Sequence, residues 1–311
     1  MLVMISNRAK IAASLYATMS ISFWGISFVS TKAVLDKLDP YTLLVIRFGI
    51  GALFLCLLLL LTRSPLKIPL PYIPHLIVLG IIGVFVHQIL QATALLTIHA
   101  SDAGWLISFS PVFTVILSMI FLHEKITLPR AAGIMLAVFG VLLVTTSGNG
   151  QSLHFALNIG YVLMILSTLN WAVYSVLLKR LRIPLPSLVI TFYMSLLGFV
   201  LTLPILIKKE GWVQLSSLTS VEWAHLLFLG IFVSGVAYWY WGKAHEVLEA
   251  SQASVFMYLE PVATLIAAIF LLQERIFLIS VLGGIIIIIG VVLVNAQRSL
   301  VLQNVPWRKR K

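Results

Sequence analysis

"ASDAGWLISFSPVFTVILSMIFLHEKITLPRAAGIMLAVFGVLLVT", residues 100–145, lies over "ASQASVFMYLEPVATLIAAIFLLQERIFLISVLGGIIIIIGVVLVN", residues 250–295, without a gap, and 16 of the 46 positions are identical. The matches include Ala100/Ala250, Ala103/Ala253, Pro111/Pro261, Glu124/Glu274, Gly133/Gly283 and Gly140/Gly290. The same offset runs back through Leu76/Leu226 and the "LGI" at 79 and 229. Earlier still, W-x7-K recurs as Trp24…Lys32 and Trp171…Lys179. Apolar sequences match one another by shared composition, but that does not put proline, glutamate and two glycines in one register. The chain is read as a duplication.

The repeated unit belongs in a bilayer. Of 311 residues, 60% are hydrophobic and 10% charged, with a mean hydropathy of +1.07, whereas soluble domains carry roughly 25% charged residues. Apolar runs near 11–34, 41–62, 72–94, 99–122, 129–147, 157–178, 187–207, 221–243, 250–272 and 277–296 approach the roughly 20 residues a spanning helix needs. Five spans per copy is an odd number, so the second copy enters the membrane the other way up. Inverted repeats of this kind build secondary transporters, with the binding site near the midplane between halves. The expected fold is an all-α membrane protein of ten transmembrane helices, arranged as two inverted five-helix repeats. Residues 1–147 form the first repeat, 148–156 a linker, 157–296 the second repeat and 297–311 a basic tail.

The net charge of +11 follows membrane orientation. With alternating spans and a cytoplasmic N-terminus, 15 of the 21 Lys and Arg residues fall on the cytoplasmic side and 5 on the other, and Arg47 lies inside a span. That bias sets orientation, so both termini are expected in the cytoplasm of a cell-membrane protein. The final "WRKRK" reads as an anchor with affinity for anionic headgroups. No basic patch interleaved with stacking aromatics suggests nucleic acid. The first span is too long, and lacks the cleavage site, for a signal peptide. Cys56 is the single cysteine, so no intrachain disulfide is expected.

"FWGISFVSTKAV" in span 1, "VIRFGIGAL" in span 2 and the twice-carried block A-x2-A…P-V-x-T…E…G-x6-G resemble the drug/metabolite transporter superfamily, specifically its EamA-type ten-helix members. The resemblance covers residues 11–296. It implies two inverted five-helix bundles, cytoplasmic termini, and export or exchange of small metabolites, often amino acids. Members differ in substrate, so the resemblance leaves the substrate open. Strict symmetry is broken in two places: Arg47 has no basic partner in span 7, and Ser110 stands where Glu260 stands in the second copy.

Glu260, in "VFMYLEPVATLI" at 255–266, is the most conspicuous candidate. A charge at the bilayer centre costs roughly 2.5–3.5 kcal/mol on insertion scales, so this carboxylate must be paired, hydrated or protonated. Two readings stand: a cavity site for a substrate amine or a proton, or a group held by a buried arginine or by helix ends freed at Pro261. His87, Gln88 and Gln91 crowd one face of span 3 and are expected to line the cavity or bond between helices. His87 is a second candidate for proton coupling. Arg47 and Lys32 are possible charge partners or snorkelling cations. Trp105, Asn170, Trp171, Tyr174, Tyr238 and Tyr258 complete the expected substrate-binding set, as an aromatic wall or as packing, with Trp241 read as an interface residue. Pro111 and Pro261 are expected hinges. Spans 5 and 10, with glycines seven apart, are expected to pack and not to bind.

Enzyme signatures are missing. "LHEK" at 122–125 has no second histidine four residues after His123, and neither a G-x-S-x-G elbow nor a phosphate loop occurs. No metal and no cofactor is expected. The sequence reading is a secondary transporter that exports or exchanges amino acids or related metabolites by alternating access, through a cavity between spans 1–4 and 6–9. Its alternatives are export of drugs or other metabolites without proton coupling, and an intramembrane enzyme using Glu260 and His87.

Overall fold

A computed structural model describes residues 7–64, 66–110, 112–113, 116–117, 128–147, 158–181, 183–248 and 256–303. The expected linker, Pro111, Glu124 and the last eight residues of the tail lie outside them. Among the described residues the chain is all-helical. The long elements are α1 (Asn7–Leu35), α2 (Pro40–Leu61), α3 (Leu70–Leu95), α4 (Ala100–Ile107), α5 (Leu128–Ser147), α6 (Ile159–Leu181) and α7 (Ser187–Lys208). After a short turn at Trp212–Leu215, α8 runs Ser220–Leu227, Phe228–Ala237 and Tyr238–Val247. The last two are α9 (Leu259–Leu272) and α10 (Leu278–Gln303). Arg8–Leu35, Pro40–Leu61, Leu70–Leu95, Ser187–Lys208 and Ser220–Ala244 are long and apolar enough to cross a membrane, and α5, α6, α9 and α10 contain shorter apolar stretches.

Local chemistry sets the starts. Asp39 caps α2, its carboxylate accepting from Tyr41 N at 3.0 Å, and Pro40 follows at the first helical position, where a missing N–H costs nothing. Glu222 reaches back from the first turn of α8 to accept from Thr219 N at 2.6 Å.

The two halves interlock, and their main cross-contacts come in matched pairs. α1 packs on α8 and α9, as α6 packs on α3 and α4; α2 meets α7 and α8, as α7 meets α2 and α3; α5 lies along α10. The α5–α10 seam depends on bare glycine surfaces. A Cβ on Gly140 would sit 2.6 Å from Gly283 O, and one on Gly290 would sit 2.7 Å from Gly133 O. Such close backbone approach is how apolar helices associate in lipid.

Two departures from regular helix recur in both halves. Ile81–Val86 in α3 and Phe228–Ala237 in α8 are π-helical, a geometry common at functional sites. α4 breaks at Ser108 and Phe109, while the span of α9 breaks at Met257 and Tyr258. The expected unbroken run at 250–272 is therefore corrected: Glu260 and Pro261 lie in the first turn of α9. Proline there removes no intrahelical hydrogen bond. The break precedes it.

One carboxylate joins the halves at a helix end. Glu274, just past α9, accepts from Ala100 N at 2.9 Å, Ser101 N at 3.2 Å and Ser101 Oγ at 2.9 Å, so a residue of the second half caps α4 of the first. His99 Nδ1 lies 3.8 Å from Glu274 Oε1. Lys32, read as a possible snorkelling cation, instead donates to Leu95 O at 3.2 Å and to Ile98 O, closing the end of α3. Beside it Asp102 accepts from Tyr161 at 2.8 Å and Ser280 at 2.6 Å, tying α4 to α6 and α10.

Two outcomes follow from this packing. Gly140→Leu should lower thermal stability in detergent by about 1–3 kcal/mol, read as a fall in melting temperature. The Glu274 contact should be pH-dependent with a defined sign. Burial raises the carboxyl pKa, but the nearby His99 ring and the hydrogen bonds from Ala100 and Ser101 outweigh it and hold the pKa at about 2. The stabilisation is therefore full above the ordinary value of 4.5 and lost as pH falls toward 2. The same carboxylate raises His99 above 6.5 against partial burial, so that contribution is full below 6.5 and fades as pH climbs through the raised value. The melting-temperature gap between wild type and Glu274→Gln should peak at about pH 5–6; a pH-independent gap would count against the contact.

Candidate functional site

Between the halves lies a small cavity of about 30 Å³, lined from α1, α2, α3, α4, α6, α8 and the α9 break. Of the expected site residues, Glu260, His87, Gln88, Gln91, Trp171, Tyr238 and Arg47 line it. Trp24, Ser27, Phe28, Ile107 and Met257 also line it and were not in the expected set. The space is too small for an amino acid as it stands, so taking one up requires the helices to part.

Arg47 is 2% exposed, which rules out snorkelling. Its Nε donates to Ser234 Oγ at 2.9 Å and its Nη1 to Gln88 Oε1 at 2.9 Å. Both acceptors are neutral, so the guanidinium charge has no anionic partner among the described residues. Glu260 is 5% exposed. Its backbone is fully engaged: the N–H donates to Met257 O, and the carbonyl accepts from Thr264 Oγ1. Its carboxylate has no partner among the described residues and does not pair with Arg47. The cation and the carboxylate share one cavity without neutralising each other. At the first turn of α9 the helix dipole also favours negative charge.

His87 is engaged at both ring nitrogens. Nδ1 lies 2.9 Å from Ser167 Oγ and 3.2 Å from Ser167 O, and Nε2 lies 3.3 Å from Gln91 Nε2. A neutral ring protonated at Nδ1 satisfies all three, with the Gln91 amide donating to Nε2. Around these groups stands an aromatic wall. Trp24 packs against Trp171, Tyr238 and Trp241 at centroid distances of 5.8, 5.1 and 5.4 Å, and His87 packs on Trp171 at 5.0 Å. Trp241, partly buried, packs onto this interior cluster. The Trp24 indole N–H is buried without a partner among the described residues.

The remaining expected residues lie off the lining. Asn170 donates to Ile82 O at 2.6 Å, meeting a carbonyl in the π segment of α3. Ser20, the position 150 earlier, does the same in the other half by donating to Ala237 O at 2.8 Å. Tyr174 packs over Gly83, and its hydroxyl points to Met194 Sδ at 3.7 Å. Trp105 packs on Gly284. Tyr258 sits in the break before α9, partly buried. Among the described residues no cluster of His, Cys, Asp and Glu could hold a metal ion.

Residues 11–146 and 158–296 each match the model of the EamA-like transporter family. An uncharacterized transporter of Archaeoglobus fulgidus is 30% identical over 283 residues, covering 90% of this chain and 97% of its own length. The uncharacterized transporter YyaM of Bacillus subtilis is 28% identical over 86% of this chain and 88% of its own. A probable terminal-alkyne amino-acid exporter of Streptantibioticus cattleyicolor is 24% identical over 93% of this chain and 95% of its own. A crystal structure at 22% identity superposes with a TM-score of 0.66 over 92% of this chain and 98% of the other, a likeness of fold.

The geometry around Asn170 separates packing from binding. Asn170→Ala should cost about 1–2 kcal/mol of stability by stranding the Ile82 carbonyl, with Ser20→Ala behaving alike. Thermal unfolding of each variant checks this, and substrate affinity measured on the folded fraction should be little changed.

Proposed function

The chain belongs to the EamA-like transporter family, and on that footing we propose that it exports or exchanges amino acids, or closely related metabolites, by alternating access through the central cavity. It is a transporter and not an enzyme. The observation that carries the proposal is a pair of buried ionisable groups left unmatched: an unneutralised guanidinium at Arg47 and a carboxyl without a partner among the described residues at Glu260, facing one cavity. A buried unpaired charge is costly. A zwitterion removes both costs at once, its carboxylate meeting Arg47 and its ammonium meeting Glu260. The faces of Trp24, Trp171 and Tyr238 add cation–π attraction for the ammonium. The exporter of S. cattleyicolor, whose name specifies an amino acid, supports the same class.

In this reading ten helices cross the cell membrane as two inverted halves, 1–147 and 157–296, joined by 148–156. Both termini face the cytoplasm, in keeping with the bias of basic residues, and the tail from 297 rests on anionic headgroups. Helices α1–α4 and α6–α9 rock about the site while α5 and α10 stay peripheral. The breaks in α4 and in the span of α9, and the π segments of α3 and α8, are the points where such helices bend. Glu260 is the proton-coupling candidate ahead of His87, because both His87 nitrogens are already engaged.

The test is efflux from liposomes containing purified protein and loaded with labelled amino acids, with and without a pH gradient. Wild type should release a subset of them. Glu260→Gln and Arg47→Met should each cut that flux by on the order of tenfold or more while keeping the wild-type elution profile. Flux that survives Glu260→Gln at full rate would make the carboxylate structural. Release of no amino acid would move the substrate class to other metabolites or drugs.

A further inference from the structure

Polar ties between the halves gather at one end of the molecule. The chain turns there from α1 to α2 and from α3 to α4; α6, α8 and α10 begin there, and α7 and α9 end there. On one flank Lys37 Nζ lies 2.9 Å from Glu222 Oε1 and donates to Ser217 O at 3.3 Å. Beside it Lys209 Nζ lies 3.9 Å from Asp39 Oδ1, and Asp39 N donates to Gln214 Oε1 at 2.9 Å. On the other flank stand the Glu274 cap on α4, the Asp102 bonds, and Thr97 Oγ1 donating to Asn158 Oδ1 at 2.8 Å. The opposite end is joined differently, by the Tyr193 hydroxyl donating to Leu66 O and by Ala13 and Ala17 packing against Ala244 and Leu248. Among the described residues, every ion pair between the halves lies at the first end; Lys243–Glu246, at the other, stays within α8.

The space between this end and the central cavity is filled. Ser27 lines the cavity. One turn farther along α1, Ser30 is 1% exposed and its Oγ lies 3.2 Å from His225 Nδ1 of α8, with Val34 and Leu38 buried beyond it. A solute leaving by this route has to part α1 from α8. Resting on the alternating-access reading and its orientation, we infer that this end is the outer gate, shut in this structure, and that Lys37 and Lys209 are its latch. Parting α1 and α2 from α7 and α8 separates both ion pairs. Their four side chains, between 15% and 50% exposed, already reach water. Such pairs favour the closed state only modestly, so the gate stays able to open; buried ions would be far harder to separate. The carboxylates serve twice, because Asp39 also caps α2 and Glu222 also accepts from Thr219 N at the start of α8. Replacing the lysines therefore releases the latch and leaves both helix starts intact.

Ser30→Cys in a Cys56→Ser background puts a single thiol just inside the gate, and Val34→Cys serves if that variant does not fold. A membrane-impermeant maleimide added to intact cells expressing the full chain reads its exposure from outside, whatever the substrate. Labelling should be slow with both lysines present. Lys37→Gln with Lys209→Gln should speed it by on the order of three- to tenfold, the worth of two exposed pairs, while Lys37→Arg with Lys209→Arg should keep it slow. Raising external salt should speed labelling of the lysine form and leave the glutamine form unchanged, because salt screens exposed pairs. Equal rates in all three forms overturn the latch and leave transport through the central cavity standing. A glutamine form that is faster but insensitive to the arginine rescue also overturns it. Labelling that occurs only from the cytoplasmic face, in inverted vesicles, overturns the orientation and with it the assignment of this end as the outer gate.

Discussion

Inside a bilayer a polar group has to find its hydrogen bond within the protein, and that constraint organises this molecule. Where the helices are irregular, side chains from the opposite half meet the backbone: Ser20 at Ala237 O and Asn170 at Ile82 O. Lys32 closes the end of α3, and Asp102 is held by Tyr161 and Ser280. Against this background the unmet groups stand out. Among the described residues, the Glu260 carboxylate and the Trp24 N–H have no partner, and both residues line the central cavity. Among the described residues the buried N–H of Trp105, packed on Gly284, and the Nδ1 atoms of His75 and His99 are also without a hydrogen bond, and nothing in the structure explains the first.

The gross plan was legible because a gap-free duplication survives in the side chains. Pro, Glu and Gly in register disclosed the repeat, and apolar run lengths disclosed the helices. The interruptions were not legible. A π turn changes backbone spacing without changing composition, so Ile81–Val86 reads as ordinary apolar helix. The break at Met257 and Tyr258 is written in residues that helices accept. Pro261 pointed to the right place with the wrong cause, since it starts a helix there and does not kink one.

The site was legible in its charges and amides and obscure in its walls. Arg47, His87, Gln88, Gln91 and Glu260 stand out in an apolar chain and converge on the cavity. Aromatic residues do not stand out, because packing and binding use the same rings. Tyr174 and Trp105 therefore entered the expected set, and Trp24 did not. Met257 and Ile107 carry no signal in a chain where apolar residues face lipid, neighbouring helix and cavity alike. Asn170 misled for a physical reason. An amide buried among apolar residues needs a partner, and its partner is a backbone carbonyl.

The cap on α4 has a consequence for how the chain is made. Ala100 and Ser101 are synthesised long before Glu274, which supplies their hydrogen bonds. Likewise Ser20 waits for Ala237, and Gly25 waits for the close backbone of Glu260. The first half thus leaves the ribosome with open helix ends and unfilled grooves that only the second half completes. Consolidation of the fold is a late event in translation. A chain that stops after its first repeat keeps the helix end at Ala100 and Ser101 and the groove at Gly25 open.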